Sequence, residues 1–384
     1  MQAFTFDSVA RIASGGGEAL RLHEHCSALG VKQVLLVTDP GLVSIGLIAP
    51  VQDALQAAGV SVTLFAKVAE DPPEAVVLDA AESGRAAQVD GVIAVGGGSS
   101  MDVAKVVAVL LAGEQPLESM YGVGKVAGTR LPLILVPTTA GTGSEVTPVA
   151  VITTGETTKA GVSSPVMLPD IAVLDADLTL GLPPRITAMT GVDAMVHAIE
   201  AYTSKLKKNP ISDNLSRSAL DLLSRHIRTA VHDGRQRDAR AAMLLGAMQA
   251  GQAFANAPVA AVHALAYPLG GHYHIPHGLS NSLVLPAVLR FNMQSTTALY
   301  AELADIVNPT GRGGSDEARA QGLVDYLESL IENLNLPATL SAAGVNESSL
   351  ERLAEDAMLQ QRLLVNNPRE VHYEDALAIY RAAF

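Results

Sequence analysis

The first half of the chain alternates short apolar runs rich in β-branched residues with amphipathic stretches, and this alternation constrains the fold more than any other feature. Its clearest unit, DGVIAVGGGSSMDVAKVVAVLLAG, predicts a strand, a glycine turn and a helix without interruption. Further strands are predicted at VKQVLLVTD, VSVTLF and LPLILVPTT, with helices after the first two. Strands that alternate with helices are typical of a parallel sheet covered by helices. We therefore predict a Rossmann-like α/β domain.

The pattern changes at about Gly181. Long stretches rich in Ala, Leu and Met follow, with helical periodicity and charged faces, and β-branched runs become scarce. Pro183 and Pro184 mark the joint. The sequence thus predicts a nucleotide-type α/β domain over residues 1–182, followed by an all-α helical domain over residues 183–384.

Charge and cysteine content argue against several classes of protein. A net charge of −13, from 26 basic and 39 acidic residues, offers no positive face to nucleic acid or an anionic membrane. The single cysteine, Cys26, excludes an intrachain disulfide and a thiolate zinc site, and it indicates a reducing compartment. We see no secretory signal and no apolar run of the roughly 18 to 20 residues that a membrane span needs. We expect a cytoplasmic protein without nucleic-acid or membrane partners.

A glycine turn, residues 96–100 (GGGSS), joins the strand and the helix of the clearest unit. Backbone N–H groups at the start of a helix favour a phosphate, and glycine lets the backbone approach it closely. Ser99 is predicted to cap the helix together with Asp102, three residues later. The turn therefore predicts a phosphate site. The alternative is a tight turn before a well-capped helix, since the turn is not a G-x-G-x-x-G motif.

A second loop of hydroxyls and glycines, residues 137–144 (PTTAGTGS), follows another predicted strand. Open α/β sheets bind ligands beyond the C-terminal ends of their strands, so the two loops are expected to form one cradle. Asp39 ends the first strong strand and could accept hydrogen bonds from an adenosine ribose while repelling a 2′-phosphate. An Asx turn before Pro40 explains Asp39 equally well.

The second half of the chain contains a carboxylate and several imidazoles in two short segments. Asp193 and His197 are four residues apart, so on a helix they share one face and can reach one ion. With no cysteine nearby, such a site uses N and O ligands, which suit Zn²⁺ or Fe²⁺ better than Mg²⁺ or Ca²⁺. Spacing alone does not select the remaining ligands. The candidates are His263, His272, His274 and His277.

These segments resemble the iron-containing, or group III, alcohol dehydrogenases. The matching motifs are GGGSSMDVAK, PTTAGTGSEVT, GVDAMVHAIEAYTS and H-x-L-x-Y-P-L-G-G-x-Y-x-x-P-H-G, in that order along most of the chain. The resemblance implies a dehydroquinate-synthase-like architecture, in which a dinucleotide-binding domain and a helical domain enclose a cleft. It also implies a homodimer or a larger homo-oligomer.

The same resemblance assigns roles to individual residues. The metal ligands fall on Asp193, His197, His263 and His277. The cofactor contacts fall on Gly97, Gly98, Ser99, Asp102, Thr138, Thr139 and Thr142, with Lys159 beside the nicotinamide ribose. Asp39 stands where the family selects NAD over NADP. Val149 and Phe254 stand at substrate-pocket positions, and their apolar side chains indicate an uncharged alcohol or aldehyde.

The chain departs from the family at one functional position. Many members have a histidine, proposed to relay a proton, four residues after the third ligand, where this chain has Tyr267. A phenol can relay a proton, but its unperturbed pKa of about 10 makes it a poorer base near neutral pH. Either Tyr267, with His272 or His274, takes over the relay, or the substrates differ. Tyrosine here also resembles the hydroxyacid-oxoacid transhydrogenase branch.

We expect reversible NAD-dependent hydride transfer between a small alcohol and its aldehyde or ketone, with Fe²⁺ or Zn²⁺ polarising the substrate oxygen. Two alternatives stay open. A transhydrogenase would keep its nucleotide bound while it exchanges hydride between a hydroxy acid and an oxo acid. A dehydroquinate-synthase-type lyase would need a basic cluster for a phosphate, whereas Lys205, Lys207 and Lys208 stand in a run typical of a solvated face.

Overall fold

The structure is a computed structural model that describes residues 3–155, 158–308 and 313–384. The chain divides into two units. An α/β unit comprises Asp7–Gly181, and a helical unit comprises Leu182–Phe384 together with the segment before Asp7. Among the described residues, no helix combines the length and the hydrophobicity needed to cross a membrane.

The α/β unit contains two sheets. Its strands are β1 (Arg11–Ser14), β2 (Gln33–Val37), β3 (Ser61–Phe65), β4 (Gly91–Gly96), β5 (Gly122–Val123), β6 (Leu133–Pro137), β7 (Val149–Thr154), β8 (Thr158–Ser163) and β9 (Ile171–Leu174). Its helices are α1 (Leu22–Leu29), α2 (Pro40–Ser44), α3 (Ala49–Ala57), α4 (Glu74–Ala86) and α5 (Gly98–Ala112). The larger sheet is parallel, with strand order β1-β9-β6-β4-β2-β3.

Helices cover both faces of the parallel sheet. On β4, Val92 and Ala94 point into a core shared with α4 and α5, whereas Ile93 and Val95 point into a core shared with α1 and α3. A strand that is buried on both faces needs a continuous apolar sequence, because successive side chains alternate between the faces. The unbroken apolar runs of β4 and β6 therefore reflect their central place in the sheet.

The strand order reverses between β2 and β4. The chain passes from β2 to β3 on one side and then returns to form β4 on the other side of β2. Such a reversal leaves a crevice beyond the C-terminal ends of the two strands, where open α/β sheets bind ligands. Asp39 follows the end of β2, and the glycine turn follows the end of β4.

A second sheet, in the order β5-β8-β7, was not predicted from the sequence. Here β7 and β8 are antiparallel neighbours, and β5 pairs with β8 in parallel. Ala150, Ile152 and Val162 of this sheet pack into the same core as α4 and α5. The small sheet therefore belongs to the α/β unit, and it carries Val149 and Lys159.

The helical unit is built around one long buried helix. Its helices are α6 (Pro184–Thr203), α7 (Pro210–His232), α8 (Arg237–Asn256), α9 (Ala261–Tyr273), α10 (His277–Val307), α11 (Asp316–Asn333), α12 (Leu350–Met358), α13 (Gln361–Leu364) and α14 (Tyr373–Ala383). Helix α6 is buried over most of its length and packs against α7, α8 and α10. The predicted fold class, a Rossmann-like sheet followed by a helical domain, is confirmed.

Candidate metal and cofactor sites

Four side chains that could bind a metal converge in the helical unit. They are Asp193 and His197 on α6, His263 on α9 and His277 at the first position of α10, and one donor atom from each lies within 4.8 Å of the others. The Oδ1 atom of Asp193 is 3.9 Å from Nε2 of His197, 3.9 Å from Nε2 of His263 and 3.7 Å from Nε2 of His277. All but His277 are buried.

Helix geometry explains why these side chains meet. The four-residue spacing places Asp193 and His197 on one face of α6. Gly278 brings the start of α10 against this face, since a Cβ on Gly278 would lie only 2.4 Å from the carbonyl oxygen of Met189, one turn before Asp193. The close approach requires glycine, and it carries the neighbouring His277 to the carboxylate of Asp193.

The donor set fits a divalent transition metal. A tetrahedral ion with N and O ligands at about 2.1 Å separates its ligand atoms by roughly 3.4 Å, a few tenths of an ångström less than observed around Asp193. Burial alone would raise the pKa of the Asp193 carboxyl, but His197, His277 and His263 together hold it below its ordinary value. The site thus favours a carboxylate facing three imidazoles, which is the charge pattern that a cation needs.

Two further residues support this cluster, and the sequence analysis missed both. Nδ2 of Asn281 donates to Oδ1 of Asp193 at 2.6 Å and lies 3.3 Å from Nε2 of both His263 and His277. Oδ1 of Asn281 is buried and has no hydrogen-bond partner among the described residues. Glu200 lies 2.6 Å from Nδ1 of His263. For Glu200 a sequence signal existed, because residues i, i+4 and i+7 of a helix share one face.

Aromatic side chains border the cluster. The ring of Phe254, a predicted substrate-pocket residue, stacks on His197 with centroids 4.4 Å apart. The ring centroid of Tyr267 is 6.0 Å from that of His277. Tyr267 follows His263 by four residues, so it lies on the same face of α9. The structure therefore brings both predicted side chains to the metal cluster.

The two other histidines proposed for the proton relay lie outside the four-residue cluster. His272 follows His263 by nine residues, or two and a half turns of α9, which turns it to the opposite face. There its Nε2 pairs with Oδ2 of Asp356 at 2.5 Å. His274 is the left-handed C-cap residue of α9, with φ at 52°. Helical periodicity thus separates His272 from the face that carries His263 and Tyr267, whereas His274 is exposed where α9 ends, about three turns beyond His263.

The glycine turn and the threonine loop lie side by side in the α/β unit. The N–H of Thr138 donates to the carbonyl of Gly96 at 2.9 Å. A Cβ on Gly97 would lie 3.8 Å from Thr139, and a Cβ on Gly98 would lie only 2.9 Å from Cγ2 of Thr142. Glycine at residue 98 is therefore required for the close approach of the two loops, which both follow C-terminal strand ends as predicted.

The predicted cap of α5 is wrong. Gly97 is the N-cap residue and no side chain of the predicted pair caps the helix, because the Asp102 carboxylate is engaged elsewhere. It accepts a hydrogen bond from the Ser144 hydroxyl at 2.6 Å and one from the N–H of Val151 at 2.9 Å. These bonds tie α5 to the threonine loop and to β7. Ser144 and Val151 are 42 and 49 residues away from Asp102 in the sequence, so the local spacing of Ser99 and Asp102 could not predict these hydrogen bonds.

A buried lysine, which the sequence analysis did not single out, completes this network. Nζ of Lys105 donates to the Ser144 hydroxyl and to the carbonyl of Val149, each at 2.7 Å. Burial lowers the pKa of Lys105 to about 8, against the opposing charges of Asp102 and Glu145. Burial likewise raises the pKa of Glu145 to about 7. The network holds the helix that starts at the glycine turn beside the threonine loop.

The remaining cofactor candidates also make local contacts. Asp39 caps α2 by accepting from the N–H of Leu42 at 2.9 Å, which is the turn considered as the alternative to a ribose contact. Its Oδ2 lies 3.9 Å from the position of a Cβ on Gly96, so the carboxylate also lies beside the glycine turn. Nζ of Lys159 pairs with Oδ1 of Asp71 at 2.7 Å.

A parallel sheet with a glycine turn at its switch point, and a helical unit that carries an N/O metal cluster, are the features of a metal-dependent enzyme that binds a nucleotide. Known proteins agree. Residues 10–176 match the family profile described as iron-containing alcohol dehydrogenase, and residues 187–384 match that of the Fe-containing alcohol dehydrogenase family, C-terminal. The chain is 42% identical to long-chain-alcohol dehydrogenase 1 of Geobacillus thermodenitrificans (strain NG80-2), over 98% of this chain and 97% of the relative.

Solved structures show the same similarity. A crystal structure of 1,3-propanediol oxidoreductase superimposes with a TM-score of 0.96 at 34% identity and covers 100% of both chains. Sulfoacetaldehyde reductase from Bifidobacterium kashiwanohense, in complex with NAD⁺, has a TM-score of 0.90 at 29% identity and covers 100% of this chain and 99% of its own. This chain belongs to the iron-containing alcohol dehydrogenase family. It is an oxidoreductase that interconverts an alcohol and its carbonyl partner, and the resemblance seen in the sequence is confirmed.

Proposed function

We propose that the protein catalyses reversible, NAD-dependent hydride transfer between a small alcohol and its aldehyde or ketone, with a divalent ion held by Asp193, His197, His263 and His277. The observation that carries the proposal is the convergence of these donor groups within 4.8 Å of one another. Three imidazoles and a carboxylate suit Fe²⁺ or Zn²⁺. Membership of an iron-containing family favours Fe²⁺.

In this mechanism the bound ion supplies Lewis acidity toward the substrate oxygen, and NAD accepts or supplies the hydride. The residues of the chain bind and orient the reactants. Phe254, stacked on His197, provides an apolar wall for the substrate tail, and Val149 is the second proposed pocket residue. Tyr267, beside His277, relays the hydroxyl proton through its Oη. His272 and His274 lie on other parts of α9, which supports a relay through Tyr267 alone.

The cofactor proposal rests on the α/β unit. The N–H groups of Gly97, Gly98 and Ser99 at the start of α5 hold the pyrophosphate, because the helix dipole favours negative charge there. The neighbouring hydroxyl loop supplies further donors, from Thr138, Thr139 and Thr142. Asp102 orients this loop through Ser144. Asp39 binds the adenosine ribose, and Lys159 the nicotinamide ribose. The NAD⁺ complex of the Bifidobacterium relative supports this choice of cofactor.

One observation favours a second candidate. The tyrosine at residue 267 resembles the transhydrogenase branch, in which the nucleotide stays bound and hydride passes from a hydroxy acid to an oxo acid. Turnover of such a pair without added NAD would establish this activity. A dehydroquinate-synthase-type lyase is not supported, because both matching family profiles are those of alcohol dehydrogenases.

The metal proposal is tested by assaying NADH oxidation with straight-chain aldehydes of increasing length. We expect exhaustive chelation to abolish activity, and Fe²⁺ or Zn²⁺ to restore it in the wild-type enzyme but not in His263→Ala. The control is His232→Ala, which changes an exposed histidine at the end of α7 and should behave as wild type. Activity that survives both chelation and His263→Ala would refute the metal's role.

The role of Asp39 is tested with a matched pair of variants. Asp39→Asn keeps an oxygen that can cap α2 but removes the charge that repels a 2′-phosphate, whereas Asp39→Gly removes both. We expect both variants to raise kcat/KM for NADP relative to NAD by about tenfold or more, since one tenfold step is only about 1.4 kcal/mol. An unchanged ratio in both variants would show that Asp39 does not select the cofactor.

The assembly and location of the protein follow from other observations. The family resemblance supports a homodimer or a larger homo-oligomer, which light scattering coupled to size-exclusion chromatography will measure. The single, buried Cys26 supports a cytoplasmic location, because a reducing compartment does not select for disulfides. Fractionation of cells that express the protein tests this location.

A further inference from the structure

Glu200 stands out among the buried carboxylates of the helical unit. Only 4% of its surface is exposed, and it follows Asp193 by seven residues and His197 by three on the same face of α6. Its Oε2 lies 2.6 Å from Nδ1 of His263, and its Oε1 accepts a hydrogen bond from the N–H of Val262 at 2.7 Å. Both oxygens are therefore engaged with the first turn of α9.

The contact with His263 determines how that ring presents its nitrogens. A carboxylate only accepts hydrogen bonds, so Nδ1 of His263 must carry the proton that is shared with Glu200. The opposite nitrogen, Nε2, then keeps its lone pair, and this is the nitrogen that lies 3.9 Å from Asp193 in the metal cluster. A carboxylate behind a ligating histidine fixes its tautomer and its ring orientation and raises its basicity.

The contact with Val262 anchors the helix that carries the ring. Helix α9 starts at Ala261, and its N-cap residue, Ala260, provides no side-chain cap. The first N–H groups of a helix lack partners within the helix, and negative charge is favourable there. Glu200 supplies the acceptor and the charge from α6, so one side chain couples the position of α9 to the orientation of His263.

We propose that Glu200 is a positioning residue of the metal site, which fixes the tautomer and ring plane of His263 without binding the ion itself. This inference rests on the metal site of the proposed function. If the inference is right, Glu200 increases the affinity of the site for the metal in addition to any effect on folding stability. The two effects can be measured separately.

Glu200→Gln is the decisive variant. Glutamine has the same shape, but its amide presents one oxygen and one NH₂ group. If the oxygen faces Val262, the NH₂ group meets Nδ1 of His263 and favours the tautomer with a protonated Nε2. If the oxygen faces His263, the NH₂ group opposes the N–H of Val262. Either arrangement weakens the site, and we expect about 10–100-fold weaker metal binding, as for other residues that orient metal ligands.

Tyr380→Phe is the matched control. The hydroxyl of Tyr380 donates to the carbonyl of Leu265 at 2.6 Å, and the side chain is fully buried. The control therefore also removes a buried hydrogen bond to α9, and we expect it to cost stability while it leaves the contact between Glu200 and His263 in place. We expect it to retain its metal as the wild type does.

The experiment follows transfer of the metal from holoenzyme to an excess of a chromogenic chelator, for the wild type, Glu200→Gln, Tyr380→Phe and His263→Ala. Cobalt-substituted proteins add the visible absorption of the site. We expect 10–100-fold faster release and an altered cobalt spectrum in Glu200→Gln only, besides the loss of metal in His263→Ala. Wild-type release from Glu200→Gln would overturn the inference. So would equal release from Tyr380→Phe at a similar loss of thermal stability.

Two further outcomes keep the test decisive. If His263→Ala releases metal no faster than the wild type, the metal site itself is wrong and the proposed function fails.

Nitrogen NMR of the histidine-labelled wild-type holoenzyme, assigned by comparison with His263→Ala, needs no folded Glu200 variant. It is expected to show a proton on Nδ1 of His263, and a proton on Nε2 would refute the role of Glu200.

Discussion

Gly278→Ala tests whether the metal site depends on the close contact between α10 and α6. The added Cβ would lie 2.4 Å from the carbonyl oxygen and 2.8 Å from the carbonyl carbon of Met189, and 3.3 Å from Cβ of Asp193. The first two are backbone atoms of a buried helix, which cannot move aside as the end of a flexible side chain can. The two helices must therefore separate.

The size of this separation sets the expected effect. Cβ contacts hardly ever fall below 3.0 Å, so the start of α10 must move by at least 0.6 Å from the 2.4 Å contact. Metal–ligand distances tolerate deviations of only about 0.2 Å, and the displaced segment includes His277. We expect overpacking to cost about 1–3 kcal/mol of unfolding free energy. A misplacement of about 1 Å costs kcat/KM on the order of 100-fold, so we expect a loss of about tenfold or more here.

Metal release to a chelator, steady-state kinetics and urea unfolding measure the three effects. Gly322→Ala is the control, because Gly322 lies within α11 and a Cβ there would meet nothing within 4 Å. Alanine in a helix interior is about 0.5–1 kcal/mol more favourable than glycine, so the control should gain stability and keep its metal. If Gly278→Ala retains its metal at the wild-type rate, the helix contact does not position His277 and the reasoning is wrong.

Three other variants probe the rest of the chain. Burial raises the pKa of the Glu145 carboxyl to about 7, against an ordinary 4.5, so the folded state favours the protonated carboxyl. The contribution of this carboxyl to the free energy of unfolding is therefore complete below pH 4.5 and is lost as the pH rises through 7. Glu145→Gln should remove that part of the pH dependence of urea unfolding. Gly98→Ala, with its Cβ 2.9 Å from Thr142, should raise KM for NAD about tenfold and leave the metal content unchanged. Arg240→Met removes donors to Leu182 and Thr187 and should cost about 1–3 kcal/mol of unfolding free energy, with unchanged KM.

Each of these predictions can fail in a distinct way. An unchanged stability profile between pH 4.5 and 7 in Glu145→Gln would show that this carboxyl does not titrate as its burial implies. A wild-type KM for NAD in Gly98→Ala would show that the two loops need not approach so closely. Loss of metal without loss of stability in Arg240→Met would assign the arginine to the site rather than to the packing of α6 and α8.

Local pattern predicted the elements that depend on neighbours in sequence. Apolar runs rich in β-branched residues predicted β2, β3, β4 and β6 of the parallel sheet, whereas the short strands β1 and β9 were not predicted. The glycines predicted the turn at the switch point, and the helical period of 3.6 residues predicted the shared face of Asp193 and His197. The helical period of 3.6 residues also places Glu200, seven residues after Asp193, on that face of α6. It could not predict the small sheet, because β5 pairs with β8 across about 40 residues of chain.

Prediction from the sequence failed where a side chain had both a local hydrogen-bond partner and a partner far away in the sequence. Ser99 and Asp102 have the spacing of a helix cap, but Asp102 binds Ser144 and Val151 instead. Buried carboxylates need full sets of hydrogen bonds, and a distant donor that meets this need outweighs a local one.

The sequence by itself determined the family, the fold class and one pair of candidate ligands, because motifs and helical periods are properties of neighbouring residues. Residue spacing left the other two ligands open and the family resemblance named His263 and His277 rather than His272 and His274, but only the tertiary structure shows that these two meet that pair. The physical reason lies in α9 and in Gly278. Two and a half turns carry His272 to the far face of α9, while a residue without a Cβ lets α10 bring His277 against α6.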